Sequence, residues 1–277
     1  MSMSIRVLTA CLLVPVAAVT AGCELMVAGP RAQASDIWER TYQVDPDVTL
    51  EVVNTNGAIT VRTHAGTTLQ VKATRTAKAV TDQGARELLA KLNLENAATA
   101  SRVKLVTPRP HGLSMGQQVD VRYDVLLPAT ATVVLTTVNG RVDVEGVTGA
   151  VSLETVNGGI SGQGLLGLRK AETVNGSVDL TLAGLPAGGA AIETVNGSVR
   201  VVVPSTLAAD LAVRTVNGPI DVHGFSSKSD GARRRRHYAG QVNGGGSALR
   251  VETVNGGVSI TGREPAAIAT APAAGAP

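Results

Sequence analysis

Apolar and polar residues alternate with a period of two through most of the chain, and the alternation shifts by one residue at recurring Asn-Gly pairs. Leu249 and Val251 share the parity of Asn255. After that asparagine the apolar positions change parity to Val258 and Ile260. A period of two is typical of strands with one buried face. The sequence therefore predicts pairs of half-buried strands joined at Asn-Gly, where glycine supplies a positive φ at little cost.

The tetrapeptide Thr-Val-Asn-Gly occurs six times, and successive copies are separated by 18, 18, 21, 21 and 38 residues. The last interval is close to two periods and contains a degenerate copy, Gln241-Val242-Asn243-Gly244. A further copy, Thr55-Asn56-Gly57, lies near the start. Recurrence at a nearly fixed period indicates a repeat architecture. The predicted structural corners are Asn56, Gly57, Asn139, Gly140, Asn157, Gly158, Asn175, Gly176, Asn196, Gly197, Asn217, Gly218, Asn255 and Gly256.

Two architectures fit these corners. In the first, each Asn-Gly is a tight hairpin turn, and the chain folds as repeated β-hairpins in a sandwich. In the second, each Asn-Gly is the corner of a coil, and successive copies stack as a single-stranded, β-helix-like β-solenoid of about seven to nine coils.

Charges at equivalent positions of the copies favour the solenoid. The residue before Thr-Val-Asn-Gly is glutamate in four copies and Arg214 in another, and Arg200 interrupts a second, partly acidic series in the same way. An arginine one repeat away from acids is favourable only if equivalent positions are neighbours, about 4.8 Å apart in stacked strands. The fold class predicted is therefore all-β, with threonine and asparagine side chains buried and bonded to one another from coil to coil.

One amphipathic helix is predicted near residues 81–92, between the first two copies of the repeat. Thr81 can cap it. Four apolar residues follow at the i, i+3, i+4 and i+7 positions: Ala85, Leu88, Leu89 and Leu92. We expect this helix to cover an open end of the stack. The repeat domain is expected to span residues 44–262, followed by a disordered Ala/Pro-rich tail over 263–277.

The N-terminus has the pattern of a bacterial lipoprotein signal. Arg6 precedes an apolar run, residues 7–20, which has the length of a secretory signal and is too short to span a bilayer. Small residues then precede Cys23. This pattern predicts a signal peptide over 1–22, acylation of Cys23, anchoring in membrane lipid and a tether over 23–43. The alternative is cleavage after Ala34, which yields a secreted chain; either way we expect no disulfide.

Composition and charge limit the classes of function. Only five of the 277 residues are aromatic and 31 are glycine, whereas 44% are apolar, which favours a thin β core of small branched side chains. The net charge of +3 depends on one run, Arg233, Arg234, Arg235 and Arg236, so no nucleic-acid partner is expected. This run lies in a basic insertion over 226–240. It is predicted to be an exposed loop, either simply solvated or bound to an anionic lipid, glycan or protein.

Two motifs that suggest chemistry lack the structural context that the chemistry needs. Gly112-Leu113-Ser114-Met115-Gly116 spells a nucleophile elbow, but prolines precede it and a predicted strand follows it. The stretch 162–167 spells a dinucleotide fingerprint but lies between two predicted strands, with no helix to hold a pyrophosphate. The four histidines, His64, His111, His223 and His237, lack metal-ligand spacing. No catalytic residue, metal or cofactor is therefore predicted.

Several features occur together in a fixed order along the chain. They are the lipoprotein-like signal, the segment Leu50-Glu51-Val52-Val53-Asn54-Thr55-Asn56-Gly57, the helix, the repeated Thr-Val-Asn-Gly and the closing stretch 243–256. In this arrangement the chain resembles the bacterial "putative adhesin" domain family of unknown function over residues 44–262. The resemblance implies a β-helix-like fold, an envelope location and no catalytic residues. The arginine run departs from the family pattern.

These features predict a non-enzymatic cell-envelope lipoprotein that presents a repetitive surface for adhesion or for binding an envelope polymer, glycan or protein. Identical side chains on successive coils let weak contacts add along a polymer. We expect it in the cell membrane or outer membrane, facing the periplasm or the cell surface. One alternative is a carbohydrate-active β-helix enzyme, which needs clustered acids, although Arg200 and Arg214 interrupt the acidic series. Another is a structural or signalling component of an envelope-stress system.

Overall fold

The computed structural model describes residues 32–108, 116–226, 232–234 and 236–264, with 232–234 described by their backbone alone. The fold is all-β with one short helix and contains two large, mostly parallel sheets. The elements before the regular repeats are β1 Ala32–Gln43, β2 Thr49–Val53, β3 Ile59–His64, β4 Thr68–Ala79, α1 Asp82–Lys91, β5 Glu95–Ala98, β6 Arg102–Val106 and β7 Gln118–Pro128.

In the regular repeats, the strand before each Asn-Gly corner belongs to one sheet and the strand after it belongs to the other. These strands are β8 Thr132–Asn139, β9 Val142–Glu145, β10 Ala150–Asn157, β11 Ile160–Leu165, β12 Gly167–Asn175, β13 Val178–Leu182, β14 Ala190–Asn196, β15 Val199–Pro204, β16 Ala209–Asn217 and β17 Ile220–His223. The remaining strands are β18 Ala232–Arg234, β19 His237–Val242, β20 Ser247–Asn255 and β21 Val258–Arg263. The first sheet has the order β1-β4-β7-β3-β9-β11-β13-β15-β21-β17, and the second has the order β18-β19-β16-β20-β14-β12-β10-β8-β2-β6-β5.

The strands on the two sides of each Asn-Gly corner lie in different sheets, so the hairpin alternative is wrong. Equivalent strands of neighbouring copies pair in parallel and in register. Thr155, for example, lies beside Thr137 in β8 and beside Thr173 in β12. We call the two strands that flank one corner a rung. The copy at Asn56 joins the stack through a parallel bridge to Asn139.

The inward side chains of the two sheets form one apolar core. It consists mainly of valine, leucine, isoleucine and alanine, with Tyr123 and Tyr238 as its largest members. The parity change at each corner explains this arrangement: the chain turns from one sheet to the other, and the shift keeps apolar side chains pointing to the same interior. The hydroxyls of Tyr123 and Thr107 form a buried hydrogen bond of 2.9 Å.

The rungs do not follow one another in chain order at the C-terminal end. β20 lies between β14 and β16, and β21 lies between β15 and β17. The rung of Asn255 therefore separates those of Asn196 and Asn217. The degenerate copy 241–244 forms no rung, contrary to expectation: β19 pairs antiparallel with β16, and Asn243 and Gly244 follow with φ of 50° and 88°. Positive φ is the backbone conformation of a turn.

The N-terminal end is longer than predicted. Residues 32–43, expected to be part of a tether, form β1 and pair antiparallel with β4 over twelve positions. The helix α1 begins after Thr81, whose hydroxyl accepts a hydrogen bond from the backbone N–H of Gly84 at 3.1 Å. It packs against β4 and β1, the last two strands at this end of the first sheet. Its buried residues are Ala85, Leu88 and Leu89.

Candidate binding surface

A ladder of seven asparagines runs along the corners of the rungs. In each step, Nδ2 of one asparagine donates to Oδ1 of the asparagine in the neighbouring rung at 2.7–2.9 Å. In stack order the ladder consists of Asn56, Asn139, Asn157, Asn175, Asn196, Asn255 and Asn217. Six of them are exposed and Asn56 is half-buried. The expectation that the asparagines are buried is therefore wrong, because the corners lie at the rim of the stack.

The threonines of Thr-Val-Asn-Gly are buried as expected, but they bond to the backbone and not to one another. Oγ1 of Thr173 donates to the carbonyl of Gly158 in the neighbouring rung at 2.9 Å. The same bond of 2.9–3.0 Å recurs in four further rungs. The Oγ1 atom of Thr137 is buried without a hydrogen-bond partner. The carbonyl of Gly57, which would complete the pattern there, accepts from Nδ2 of Asn54 at 3.1 Å.

Close approach of neighbouring rungs, and not a positive φ, requires glycine at six of the seven corners. Gly57 alone among the corner glycines has a positive φ, of 114°. A Cβ atom placed on Gly158 would lie 2.1 Å from the carbonyl oxygen of Gly140, and the other repeats give 1.9–2.1 Å. The conformational reason predicted for these glycines is therefore wrong. The stacked backbones leave no room for a side chain.

The outer face of the second sheet carries rows of side chains that continue from rung to rung. One row contains the valines of five of the six Thr-Val-Asn-Gly copies, which are 37–42% exposed: Val156, Val174, Val195, Val254 and Val216. The row beside it contains Glu154, Glu172, Glu193, Glu252 and Arg214. We call these two rows together the valine–glutamate face. A groove of about 260 Å³ lies between the rows over β12, β14, β20 and β16.

Most charges on the valine–glutamate face are paired within the chain. Nζ of Lys170 lies 2.7 Å from a carboxylate oxygen of Glu154 and 2.5 Å from one of Glu172. The hydrogen bonds to Glu154 and Glu172 raise the pKa of Lys170 above its ordinary value. Arg250 pairs with Glu252 in its own strand at 2.8 Å.

Two charged residues of the face, Glu193 and Arg214, make no ion pair with a described residue. They lie two rungs apart, since β20 separates β14 from β16. At a strand spacing of about 4.8 Å, roughly 10 Å separates their strands, and Glu252 of β20 lies between them in the row.

On the outer face of the first sheet, oppositely charged side chains of neighbouring rungs lie beside one another, as expected for stacked copies. Arg200 lies 3.4 Å from Asp179 in the neighbouring rung. Arg62 of β3 similarly lies 3.7 Å from Glu145 of β9. These pairs are exposed, so each contributes roughly 0–1 kcal/mol to stability. They fit the observed register of the stack.

The predicted lipidation and arginine sites lie at or beyond the limits of the described chain. Cys23 and Arg235 lie outside the described residues. Arg233 and Arg234 belong to β18, which pairs antiparallel with β19, so this part of the run is an edge strand and not the predicted loop. Arg236 is exposed, and its carbonyl accepts a hydrogen bond from the backbone of Thr215 at 3.1 Å.

The motifs that suggest chemistry form no catalytic arrangement in the described residues. The stretch 162–167 spans the end of β11 and the start of β12, so a strand and not a helix follows it. The nucleophile-elbow motif lies outside the described residues except for Gly116. Across the described ranges, no three His, Cys, Asp or Glu side chains come together as metal ligands.

The valine row is the feature that sequence reasoning missed. Strand parity already places these valines outward, because each follows a threonine of the inward parity. The exposed row becomes visible only when the rungs are placed side by side, since a single exposed valine needs no explanation.

Comparison with solved structures finds bacterial proteins with adhesion-related names. A "putative cell adhesion protein" from Clostridium sporogenes has a TM-score of 0.48 and 12% identity, covering 82% of this chain and all of that chain. A "putative adhesin" from Bacteroides fragilis has a TM-score of 0.36 and 12% identity, covering 82% and 97% of the two chains. One from Parabacteroides merdae has a TM-score of 0.27 and 9% identity, covering 85% and 98%.

In sequence, neither a protein-family model nor a curated protein matches the chain. Within the described residues, no helical segment meets the length and hydropathy needed to span a bilayer.

Proposed function

We propose that the protein is a non-enzymatic cell-envelope lipoprotein that binds a partner through its valine–glutamate face. The observation that carries this proposal is the register of the rows: five exposed valines stand side by side in successive rungs. A contiguous exposed apolar row flanked by charges is typical of interaction sites. We further propose that the rungs from Asn56 to Asn196 wind as a β-solenoid, as their parallel in-register pairing suggests.

The rows favour a partner that is extended or repetitive. Each rung adds one valine and one charged residue at a spacing of about 4.8 Å. Contacts that are individually weak then act together, because once the first is made the next is intramolecular. Adhesion at the cell envelope, or binding of an envelope polymer, glycan or protein, uses contacts of this kind.

The proposal places the protein at a membrane through acylation of Cys23. The secreted alternative, cleavage after Ala34, would cut within β1, where Ala34 pairs with Ala77. Cleavage before Cys23 would leave β1 whole, which supports the lipoprotein. Cells labelled with a palmitate analogue should incorporate label into the wild-type chain and not into Cys23→Ala. Equal labelling of both chains would refute the anchor.

The arginine run is proposed as a second contact with the membrane or with an anionic envelope polymer. Near an anionic surface each arginine contributes about 1 kcal/mol. Replacing Arg233, Arg234, Arg235 and Arg236 with glutamine should weaken co-sedimentation with vesicles of anionic lipid and reduce its salt dependence. Binding that is unchanged and insensitive to salt would contradict this role.

The binding role of the valine–glutamate face is tested by a variant that removes its apolar row. We expect Val174→Ser, Val195→Ser and Val254→Ser in one chain to reduce co-sedimentation with isolated envelope material at least tenfold. The control is Val202→Ser, because Val202 lies on the outer face of the first sheet and is half-buried. Equal binding by the triple variant and the control would refute the proposed face.

A further inference from the structure

The two charges of the valine–glutamate face that make no ion pair with a described residue are arranged so that two copies of the chain complement each other. Glu193 and Arg214 lie in the same row, one rung on either side of β20. A two-fold axis along β20 reverses the order of the rungs and keeps each position along the strands. It therefore places Glu193 of each copy over Arg214 of the other. A self-complementary contact of this kind is the signature of an isologous dimer.

The apolar row fits the same axis. Because the axis keeps positions along the strands, the valine row of one copy faces the valine row of the other. Val254 then meets its own equivalent, and Val195 meets Val216. Glu252 and Arg250 of β20 also meet their own equivalents on the axis, and there the ion pair between them in each copy offsets their charges. These valines are 38–42% exposed in the single chain. Pairing two apolar rows removes both from water, which is favourable in proportion to the apolar area covered.

Charges farther from the axis agree with this pairing. Two rungs from β20 on one side lies Glu172 of β12; two strands away on the other side lies β19. In β19, His237 lies directly beside Arg214 of β16, and Arg236 is the residue before His237. Both side chains are exposed and line a cleft of about 920 Å³ together with Arg214. Glu172 and Glu154 share Lys170, so this end of one face keeps one net negative charge and meets the basic end of the other, which favours this register.

We propose that the valine–glutamate face binds the same face of a second copy of this chain, with the two-fold axis along β20. This inference rests on the proposed binding role of that face and names its partner. Five strands, from β12 to β19, with about six residues each across the face give roughly 480 Å² per copy. A total near 1,000 Å² lies below the usual range of specific interfaces, so the dimer should be weak and reversible.

Sedimentation equilibrium of the purified full chain, without envelope material, tests the proposal. We expect concentration-dependent dimerisation with a dissociation constant on the order of micromolar. Arg214→Glu and Glu193→Arg should each weaken dimerisation at least tenfold, because each places like charges together at two symmetric contacts. The neutral variant Arg214→Gln should weaken it less. A mixture of the two charge-reversal variants should dimerise as wild type does, since both contacts between positions 193 and 214 in the mixed pair again join an acid and a base.

Arg122→Glu is the matched control, since Arg122 is exposed on the first sheet, and it should leave dimerisation unchanged. A chain that stays monomeric up to about 1 mM would overturn the proposal. Equal weakening by the control, or a mixture that fails to restore the dimer, would overturn it as well. If the monomeric chain still bound envelope material through its valine row, the proposed function would stand and this inference alone would fail.

Discussion

The close approach of neighbouring rungs predicts that Gly158→Ala is strongly destabilising. The added Cβ would lie 2.1 Å from the carbonyl oxygen of Gly140 and 2.6 Å from its carbon. Backbone atoms cannot rotate away as a side chain can, and the rung is fixed on its other side by Thr173, which donates to the carbonyl of Gly158 at 2.9 Å. Overpacking of a rigid site costs about 1–3 kcal/mol and occasionally more. We expect at least about 3 kcal/mol here.

The next residue provides the control. A Cβ on Gly159 would have its nearest contact at 3.2 Å, with the carbonyl oxygen of Ser177. The cost of this close contact is offset because alanine lowers the conformational entropy of the unfolded chain, an effect of about 0.4–1 kcal/mol. Gly159→Ala should therefore change the free energy of unfolding by less than about 1 kcal/mol. Urea denaturation of the two variants and the wild type measures both values. Equal stability of the two variants would refute the claim that rung contact selects glycine at the corners.

Four further predictions follow from hydrogen-bonded and buried groups and from the order of the rungs. Thr173→Val should cost about 1 kcal/mol in urea denaturation, because the half-buried carbonyl of Gly158 loses its donor. Thr137→Val should be neutral or stabilising, because that hydroxyl is buried without a partner. Burial raises the pKa of Tyr123 to about 12, from an ordinary value of 10.0. The neutral hydroxyl of Tyr123 therefore contributes fully to stability below pH 10, and this contribution falls as the pH rises toward 12. Tyr123→Phe should remove this loss of stability at alkaline pH, as measured by denaturation curves. Deleting 247–263 should increase hydrogen exchange in β16 and β17, which pair with β20 and β21, while the rungs before Asn196 stay protected. Retained protection in β16 would contradict that dependence.

Local features were predicted well where one residue type has one physical reason to be at a position. Thr81 caps α1 because its hydroxyl accepts a backbone hydrogen bond. The helical spacing of the apolar residues after Thr81 places Leu88 and Leu89 on the buried side of the helix. The stacking of equivalent positions was predicted from the charges, and the pair of Arg200 with Asp179 agrees with it. In each case the signal lies within a short segment or in a fixed repeat.

Other features could not be predicted because different physical causes select the same residue. Glycine at a corner suits a positive φ and also suits close packing, and the sequence does not distinguish these two causes.

Contacts between distant segments could not be predicted either. The tether assigned over residues 23–43 includes β1, since pairing with β4 and not local pattern makes that segment a strand. The valine–glutamate face likewise arises from side chains in different copies of the repeat.

The amino-acid pattern was sufficient to predict the repeat, the parity of buried positions and the site of the helix, because these depend on the periodicity of the backbone and on local hydrogen bonds. The tertiary structure alone decided the order of the rungs. Every copy offers nearly the same threonine, asparagine and glycine to its neighbours, so local chemistry does not specify which rung lies beside Asn196. The chain places Asn255 there, and β16, β17 and β19 fill the positions beyond it.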